Sequence, residues 1–256
     1  MTWWPRMSST PSTDTGVKVD TVSRDSSNLW SLRPAVLRTL GVFVVSWNRP
    51  RFLAQTLESL SAQTDGLDAA IYVVDNGSEA ATRDVVVSNG AMTGYQLLPK
   101  NLGINAALES IFPANLERQF RYVLISDADM QYDEPLGLAV EFLESHTEFG
   151  AVSYQHSPEH EDRAEFEWSG RTWVTKSVER GCALVMRSQF LQAAHPLPVE
   201  RMADFDWWLV RDAPQSLQNE DRPIAVLPGG ARHLGWRKGD STWQQIETPE
   251  FEEYKQ

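Results

Sequence analysis

The stretch VLISDADM, residues 123–130, opens with a β-branched, apolar run and then sets two carboxylates, Asp127 and Asp129, one residue apart. Like charges that close repel, and each resists ionising beside the other. The pair makes sense at the end of a buried strand if something positive normally sits between them. Whether that strand lies in a sheet with a ligand site at this end is decided by the sequence on either side.

Upstream, residues 41–47 (GVFVVSW) form a short β-branched run of the kind buried on both faces of a parallel sheet. Helix signals follow, with Asn48 as a cap, Pro50 near the first turn and Leu53, Leu57 and Leu60 on one stripe. A strand is predicted over 69–75 (AAIYVVD), then an Asn-Gly-Ser turn into a helix over 79–88. A third strand over 94–99 leads to a helix over 104–112, and a fourth strand covers 121–126. This alternation predicts an α/β fold: a Rossmann-like, doubly wound, mostly parallel sheet with its ligand site at the carboxyl ends of the strands. The polar clusters at Ser46–Arg49, Asp75–Ser78, Lys100–Gly103 and Asp127–Asp129 all fall at such ends. Further on, a helix is expected after Pro135 to about residue 146, then strands over 150–155 and 182–187, an acidic loop over 157–167, and a helix over 203–213.

The 256 residues, 41% of them hydrophobic, suffice for one large α/β domain or a domain with a small appendage. A formal net charge of −12 disfavours attachment to nucleic acid or anionic membrane through a broad basic surface, though not through a local groove. The single cysteine, Cys182, forbids an internal disulfide and a cysteine-based zinc site, which points to a reducing compartment. No run has the length of a membrane span, and the first residues lack the basic start and apolar core of a signal peptide, so a soluble, cytoplasmic protein is expected. Residues 1–34, rich in Ser, Thr and Asp, read as a flexible arm in which Trp3, Trp4 and Trp30 are candidates for docking. Residues 35–150 then form a ligand-binding half, and 151–256 a second half of the same domain.

Three chemistries use closely spaced aspartates. A calcium loop of EF-hand type requires Gly at its sixth position and Glu at its twelfth, where this chain has Tyr132 and Leu138. A phosphotransfer aspartate usually ends the first strand of its domain, and this pair ends the fourth. The third is a divalent cation bridging protein carboxylates to a diphosphate, which suits Mg²⁺ or Mn²⁺. The plain structural reading is a helix cap followed by a solvated acid. The position of the pair at a strand end, beside other polar turns, favours the metal site.

Taken together and in order, VFVVSWNRPRFLAQTLESLSAQT, IYVVDNGS, NLGINAAL and YVLISDADM resemble the successive signatures of GT-A nucleotide-sugar glycosyltransferases, specifically the inverting family 2, over roughly residues 41–150. The resemblance implies a GT-A fold with an irregular, acceptor-binding C-terminal half. It implies that Ser46, Asn48 and Arg49 grip the base and ribose of a nucleotide-sugar and that Asp75 contacts the base or ribose. Gly103, Asn105, Asp127 and Ala128 are the remaining implied donor contacts, and Asp127 and Asp129 the implied ligands of Mn²⁺ or Mg²⁺. An acid at a neighbouring strand end is also placed to accept ribose hydroxyl hydrogen bonds on physical grounds alone, while Asn-Gly is equally a tight turn.

In the second half, RMADFDWWLVR resembles the family's Glu-Asp-x-Asp stretch, with Ala203 at the position of the usual Glu. The resemblance makes Asp204 the general base and Asp206 a supporting acid. His233, in GGARHLGW, resembles the late histidine that sometimes completes the metal shell, although a lone histidine is often a packing residue. Trp168, Trp173, Trp207, Trp208, Trp236 and Trp243 suit sugar stacking or an ordinary core. The implied activity is inverting transfer from a nucleotide-sugar, a UDP-sugar before GDP or dTDP, to an acceptor hydroxyl. The acceptor stays open between a glycan, a protein side chain and a hydroxylated DNA base, the last served by a groove carrying Arg171, Lys176, Arg180, Arg187, Arg237 and Lys238. A sugar-1-phosphate nucleotidyltransferase would need a glycine-rich loop where SWNRP has none, and a non-catalytic binding relic of the fold is the other alternative.

Overall fold

The computed structural model describes residues 37–113, 115–158, 160–177, 179, 183–199, 217 and 221–234. Strands β1 (Arg38–Ser46), β2 (Ala69–Asp75), β3 (Gly94–Leu97) and β4 (Phe120–Asp127) alternate with helices α1 (Pro50–Gln63), α2 (Ala80–Ser88), α3 (Ile104–Ile111) and the short α4 (Leu116–Gln119). After the acidic turn come β5 (Met130–Tyr132), α5 (Gly137–Ser145), β6 (Ala151–Ser153), β7 (Ala164–Trp168) and β8 (Arg171–Lys176). Then follow β9 (Ala183–Arg187), α6 (Ser188–Ala193), β10 (Ile224–Val226) and β11 (Ala231–His233).

The main sheet has nine strands in the order β3-β2-β1-β4-β9-β6-β10-β8-β7. Strand β1 is parallel to both β2 and β4, and β2 to β3. Strand β9 runs antiparallel between β4 and β6, β10 lies parallel to β6, and β8 is antiparallel to β10 and β7. Every strand but β8 and β9 therefore points one way, and the second half of the chain extends the sheet begun by the first. The expected acidic loop over 157–167 is corrected here, because its last residues belong to β7. There Phe166 faces Trp173 across the pair while Glu165 and Glu167 stay exposed. The glutamates are the outward half of a strand's alternation.

Helices cover both faces. Val42, Val44, Leu53, Leu57, Leu60, Val86, Ala139 and Phe142 form one buried cluster, which puts α1, α2 and α5 on that face. Phe43, Val74, Leu108, Leu116, Val123, Ile125 and Leu191 form the other, beneath α3, α4 and α6. Strand β1 is apolar without alternation because both of its faces are covered. Each such Val, Leu or Phe contributes about 1.5–3 kcal/mol when fully buried. Trp173 is fully buried and stacks on Phe142 with ring centroids 5.0 Å apart, and Trp168 meets the same ring edge-on at 5.3 Å. Those two indoles build core. Trp207, Trp208, Trp236 and Trp243 lie outside the described residues.

The basic groove expected for a DNA acceptor does not form from its described members. Lys176 is fully buried, donating to the Ser157 and His160 carbonyls at 2.6 and 2.9 Å and pairing with Asp162 at 3.1 Å and buried Glu179 at 3.2 Å. Burial pushes the Asp162 carboxyl up, but hydrogen bonds from His156 and Lys176 outweigh it and hold the group below its ordinary range. Arg171 is tied to Glu134 at 2.7 Å. Arg187 lies opposite Tyr122 in the β4–β9 register, towards the amino end of β4 and away from the acidic turn. Breaking a buried pair from one side leaves a charge without its counter-ion, at about 3–5 kcal/mol. Lys176→Met is therefore expected to lower unfolding free energy by about that much, and adding Glu179→Leu should recover part of it in urea denaturation.

Candidate active site

The strand ends finish in register. Ser46 of β1 lies opposite Asp75 of β2, and Val45 opposite Asp127 of β4. The carboxyl edge of three adjacent strands thus carries the residues that the sequence singled out, as expected for a ligand site in an open α/β sheet.

The turn Asp127-Ala128-Asp129 carries the chain from β4 into β5, and its backbone is pinned from below. Thr56 of α1 donates its hydroxyl to the Ala128 carbonyl at 2.8 Å and accepts the Met130 N–H at 3.1 Å. One turn on, the Ser59 hydroxyl accepts the Tyr132 N–H at 3.2 Å, and the Tyr132 hydroxyl donates to Ser126 at 2.8 Å. Two polar residues on the leucine face of α1 are buried because they satisfy this turn. From the other side β11 pairs with β5, with His233 opposite Met130, and the Leu234 N–H donates to the Asp129 carbonyl at 2.7 Å.

This arrangement brings the three predicted metal ligands together. Asp127, Asp129 and His233 each offer a ligand atom, all within 4.8 Å of one another. The His233 Nε2 stands 3.3 Å from Asp129 Oδ1, and the Asp129 side chain is only 3% exposed. Its Oδ2 has no hydrogen bond and instead faces the Arg49 guanidinium as an ion pair. Two carboxylates and an imidazole whose ligand atoms converge at one buried corner fit Mn²⁺ or Mg²⁺. Beside the site, Tyr154 packs against Tyr132, and burial raises its phenol above the ordinary range.

The neighbouring strand ends are laced to one another. Asn48, at φ +47°, donates its backbone N–H to the Ser78 hydroxyl at 2.9 Å and accepts the Glu79 N–H on its Oδ1 at 2.7 Å. Asn76 donates to Asn101 at 3.0 Å and to the Gly103 carbonyl at 3.3 Å, and accepts the Leu102 N–H at 2.9 Å. Gly77 has φ +78°, and a Cβ there would stand 2.2 Å from the Lys100 carbonyl carbon, so only glycine fits. Asp75 is fully buried, with Oδ2 accepting the Ser78 N–H at 3.1 Å and 3.4 Å from Arg83. Its Oδ1, like the Ser46 Oγ beside it in register, is buried with no hydrogen-bond partner among the described residues. Such atoms are uncommon in folded proteins and mark acceptors and donors open to another group.

The remaining predicted contacts sit differently. Asn105 is fully buried in α3 and donates to the Pro198 carbonyl at 3.1 Å. Gly103 has φ +83° and forms the entry to that helix. Ala128 turns its side chain into the core and its carbonyl to Thr56. Asp204, Asp206 and Cys182 lie outside the described residues. Thr56 and Ser59 were not singled out by the sequence reading. Their signal was available as polar residues at helical spacing on a buried face.

The model of the family described as glycosyl transferase family 2 matches residues 41–195. The chain belongs to that family. No curated protein matches significantly. Among solved structures, the chain is similar in fold to S. aureus TarS at 18% identity and TM-score 0.53, over 74% of this chain and 35% of that one. A mannosyltransferase, PcManGT from Pyrobaculum calidifontis in complex with GDP-Man and Mn²⁺, shares 16% identity and TM-score 0.55 over 84% of this chain and 64% of its own. TarS 1–349 in complex with UDP-GlcNAc gives 16% and 0.54, over 79% of this chain and 60% of its own. These likenesses establish a shared GT-A fold, and the family 2 chain spans 35% to 64% of the lengths of those structures.

In this family 2 domain Thr56 is the hinge pin of the acidic turn. Thr56→Val keeps the shape but leaves the Ala128 carbonyl and Met130 N–H without their partner, which costs about 1–3 kcal/mol for each buried group. Chemical denaturation is expected to register a loss of about 2–6 kcal/mol for the two groups together, and Thr56→Ser, which restores the hydroxyl, should recover most of it.

Proposed function

We propose that the chain is a metal-dependent, inverting glycosyltransferase that moves a sugar from a nucleotide-sugar, a UDP-sugar, to an acceptor hydroxyl. One observation carries this reading. In a family 2 chain, Asp127, Asp129 and His233 converge at the carboxyl end of β4, beside the ends of β1 and β2. Mn²⁺ or Mg²⁺ held there would neutralise the charge of the departing nucleoside diphosphate.

The chain's own groups divide the work. Asp127, Asp129 and His233 are the residues that would hold the cation. Asp75 Oδ1 accepts from ribose hydroxyls or the base, with Ser46 beside it and the Asn48–Arg49 turn closing the edge. Gly103, Asn105 and Ala128 complete the donor side by shaping backbone. Asp204 takes the proton from the acceptor hydroxyl as that oxygen attacks the anomeric carbon. The bond from that carbon to the diphosphate oxygen breaks in the same displacement, so the configuration inverts. The motif resemblance supports Asp204, and the carboxylate chemistry suits a general base.

The donor assignment is supported by neighbours of the same fold bound to UDP-GlcNAc and to GDP-Man. Among acceptors, the dispersal of Arg171, Lys176 and Arg187 favours a glycan or protein hydroxyl over a hydroxylated DNA base. Among the described residues no helix is long and apolar enough to cross a membrane.

Release of nucleoside diphosphate from a panel of UDP-, GDP- and dTDP-sugars, with and without Mn²⁺, tests the proposal. Metal-dependent release is expected from one nucleotide class. Asp129→Ala should lower it by about 100-fold or more, the equivalent of the several kcal/mol that a metal supplies. Asp204→Asn should lower transfer by about 100- to 10,000-fold. Full activity in Asp129→Ala would refute the metal assignment.

A further inference from the structure

The carboxylate that the metal reading depends on already has a cation against it. Arg49 ends the turn after β1, and its guanidinium pairs with Asp129 Oδ2, the oxygen that has no hydrogen bond. Asp129 is 3% exposed at the side chain and Arg49 33%, so the acid is fixed in the interior while its partner reaches in from the surface. Only the arginine side chain is free to leave. Its backbone is held, because the Arg49 carbonyl accepts the Leu53 N–H at 2.8 Å as the first turn of α1, and Pro50 fixes the chain direction there.

We propose that Arg49 is a built-in counter-ion that occupies the metal subsite of Asp129 when no divalent cation is bound and withdraws when one enters. The inference rests on the metal reading above. A buried carboxylate without a counter-charge is strongly disfavoured, so a site designed to be emptied needs a substitute cation. A guanidinium is suited to it, being permanently charged, weakly hydrated and planar. It cannot stay at Oδ2 beside a divalent ion, since two positive charges at that separation repel. Arg49 and the metal are therefore competitors for one oxygen. The apparent metal affinity is reduced by the fraction of molecules in which Arg49 holds the site. The displaced guanidinium remains tethered at the lip of the β1 end, facing the position of an anionic nucleotide. An anion that draws Arg49 outward thereby opens Asp129, and by linkage the metal strengthens anion binding by the same factor.

The test measures Mn²⁺ affinity without nucleotide, by electron paramagnetic resonance of the free ion, for the wild type, Arg49→Gln, Arg49→Lys and Asp129→Asn. Arg49→Gln is expected to bind Mn²⁺ about tenfold more tightly than the wild type, as removal of a competitor requires. Arg49→Lys, which keeps a charge, should stay near the wild type, and Asp129→Asn should lose the site. Thermal unfolding supplies a second readout. Arg49→Gln should melt lower than the wild type without metal and gain more on addition of Mn²⁺. A final measurement adds UDP, which should tighten Mn²⁺ binding more in the wild type than in Arg49→Gln. If Arg49→Gln binds Mn²⁺ no better than the wild type while Asp129→Asn loses binding, the counter-ion role is wrong and the metal site stands. If Asp129→Asn binds like the wild type, or none of the proteins binds Mn²⁺, the metal reading falls and takes this inference with it.

Discussion

A carboxylate buried to 3% exposure is the constraint around which the rest of this fold is arranged. Taking a charge from water costs several kcal/mol even after relaxation, and it is tolerated only where opposite charge and hydrogen bonds converge. Asp129 satisfies that rule by drawing on elements far apart in sequence. Arg49 arrives from the end of β1, His233 from β11, and the backbone of the turn is closed by Thr56 from α1 and by the Leu234 N–H. At about 4 Å and an effective dielectric of 20, each unit of opposite charge is worth about 4 kcal/mol. The charge is thus a reason for the fold to close at this corner rather than a decoration on it. Gly230 shows how tight the closure is, since a Cβ there would meet Tyr154 at 2.8 Å as the chain turns into β11.

The polar residues at the other strand ends do a different job. Asn48 accepts the Glu79 N–H on its side-chain oxygen, and Asn76 spends most of its side-chain hydrogen-bonding capacity on the neighbouring 101–103 turn. Short amide side chains that replace missing backbone partners are what hold irregular turns in one conformation. Their contribution is therefore the shape of the rim. The atoms that the rim does not consume are chiefly Asp75 Oδ1 and Ser46 Oγ.

What could be read in the sequence follows from the range of each signal. Strands β1, β2 and β4 are β-branched runs covered on both faces, and the βα alternation with short turns between them is local, so both were legible. The ends of those strands, and hence Ser46, Asp75 and Asp127, came with them. Strands β5 and β11 are three residues each and pair across about a hundred positions, too short for periodicity to register. His233 was therefore a candidate by type, while its placement beside Asp129 depended on a pairing that no local pattern encodes. Lys176 shows the opposite failure. Composition counted it as a groove cation, because a sequence does not display that Glu179, Asp162 and two carbonyls enclose it. Thr56 and Ser59 were hidden by the same blindness to partners, although their positions on the leucine stripe carried a hint.

Residues 48–59 emerge as the element that joins the two sides of the site. Asn48 ties the segment to the Ser78–Glu79 turn, and Arg49 ties it to Asp129. Further along, the same rigid helix holds the backbone of the acidic turn through Thr56 and Ser59. A helix packed by Leu53, Leu57 and Leu60 does not deform continuously, so displacement at one end is resisted at the other. The side chain of Arg49 is the exception, one-third exposed and reaching Asp129 from the surface while its backbone is held by the first turn of α1. With the counter-ion role proposed for Arg49, coupling between an anion at the β1 edge and a cation at the β4 edge runs through that one side chain.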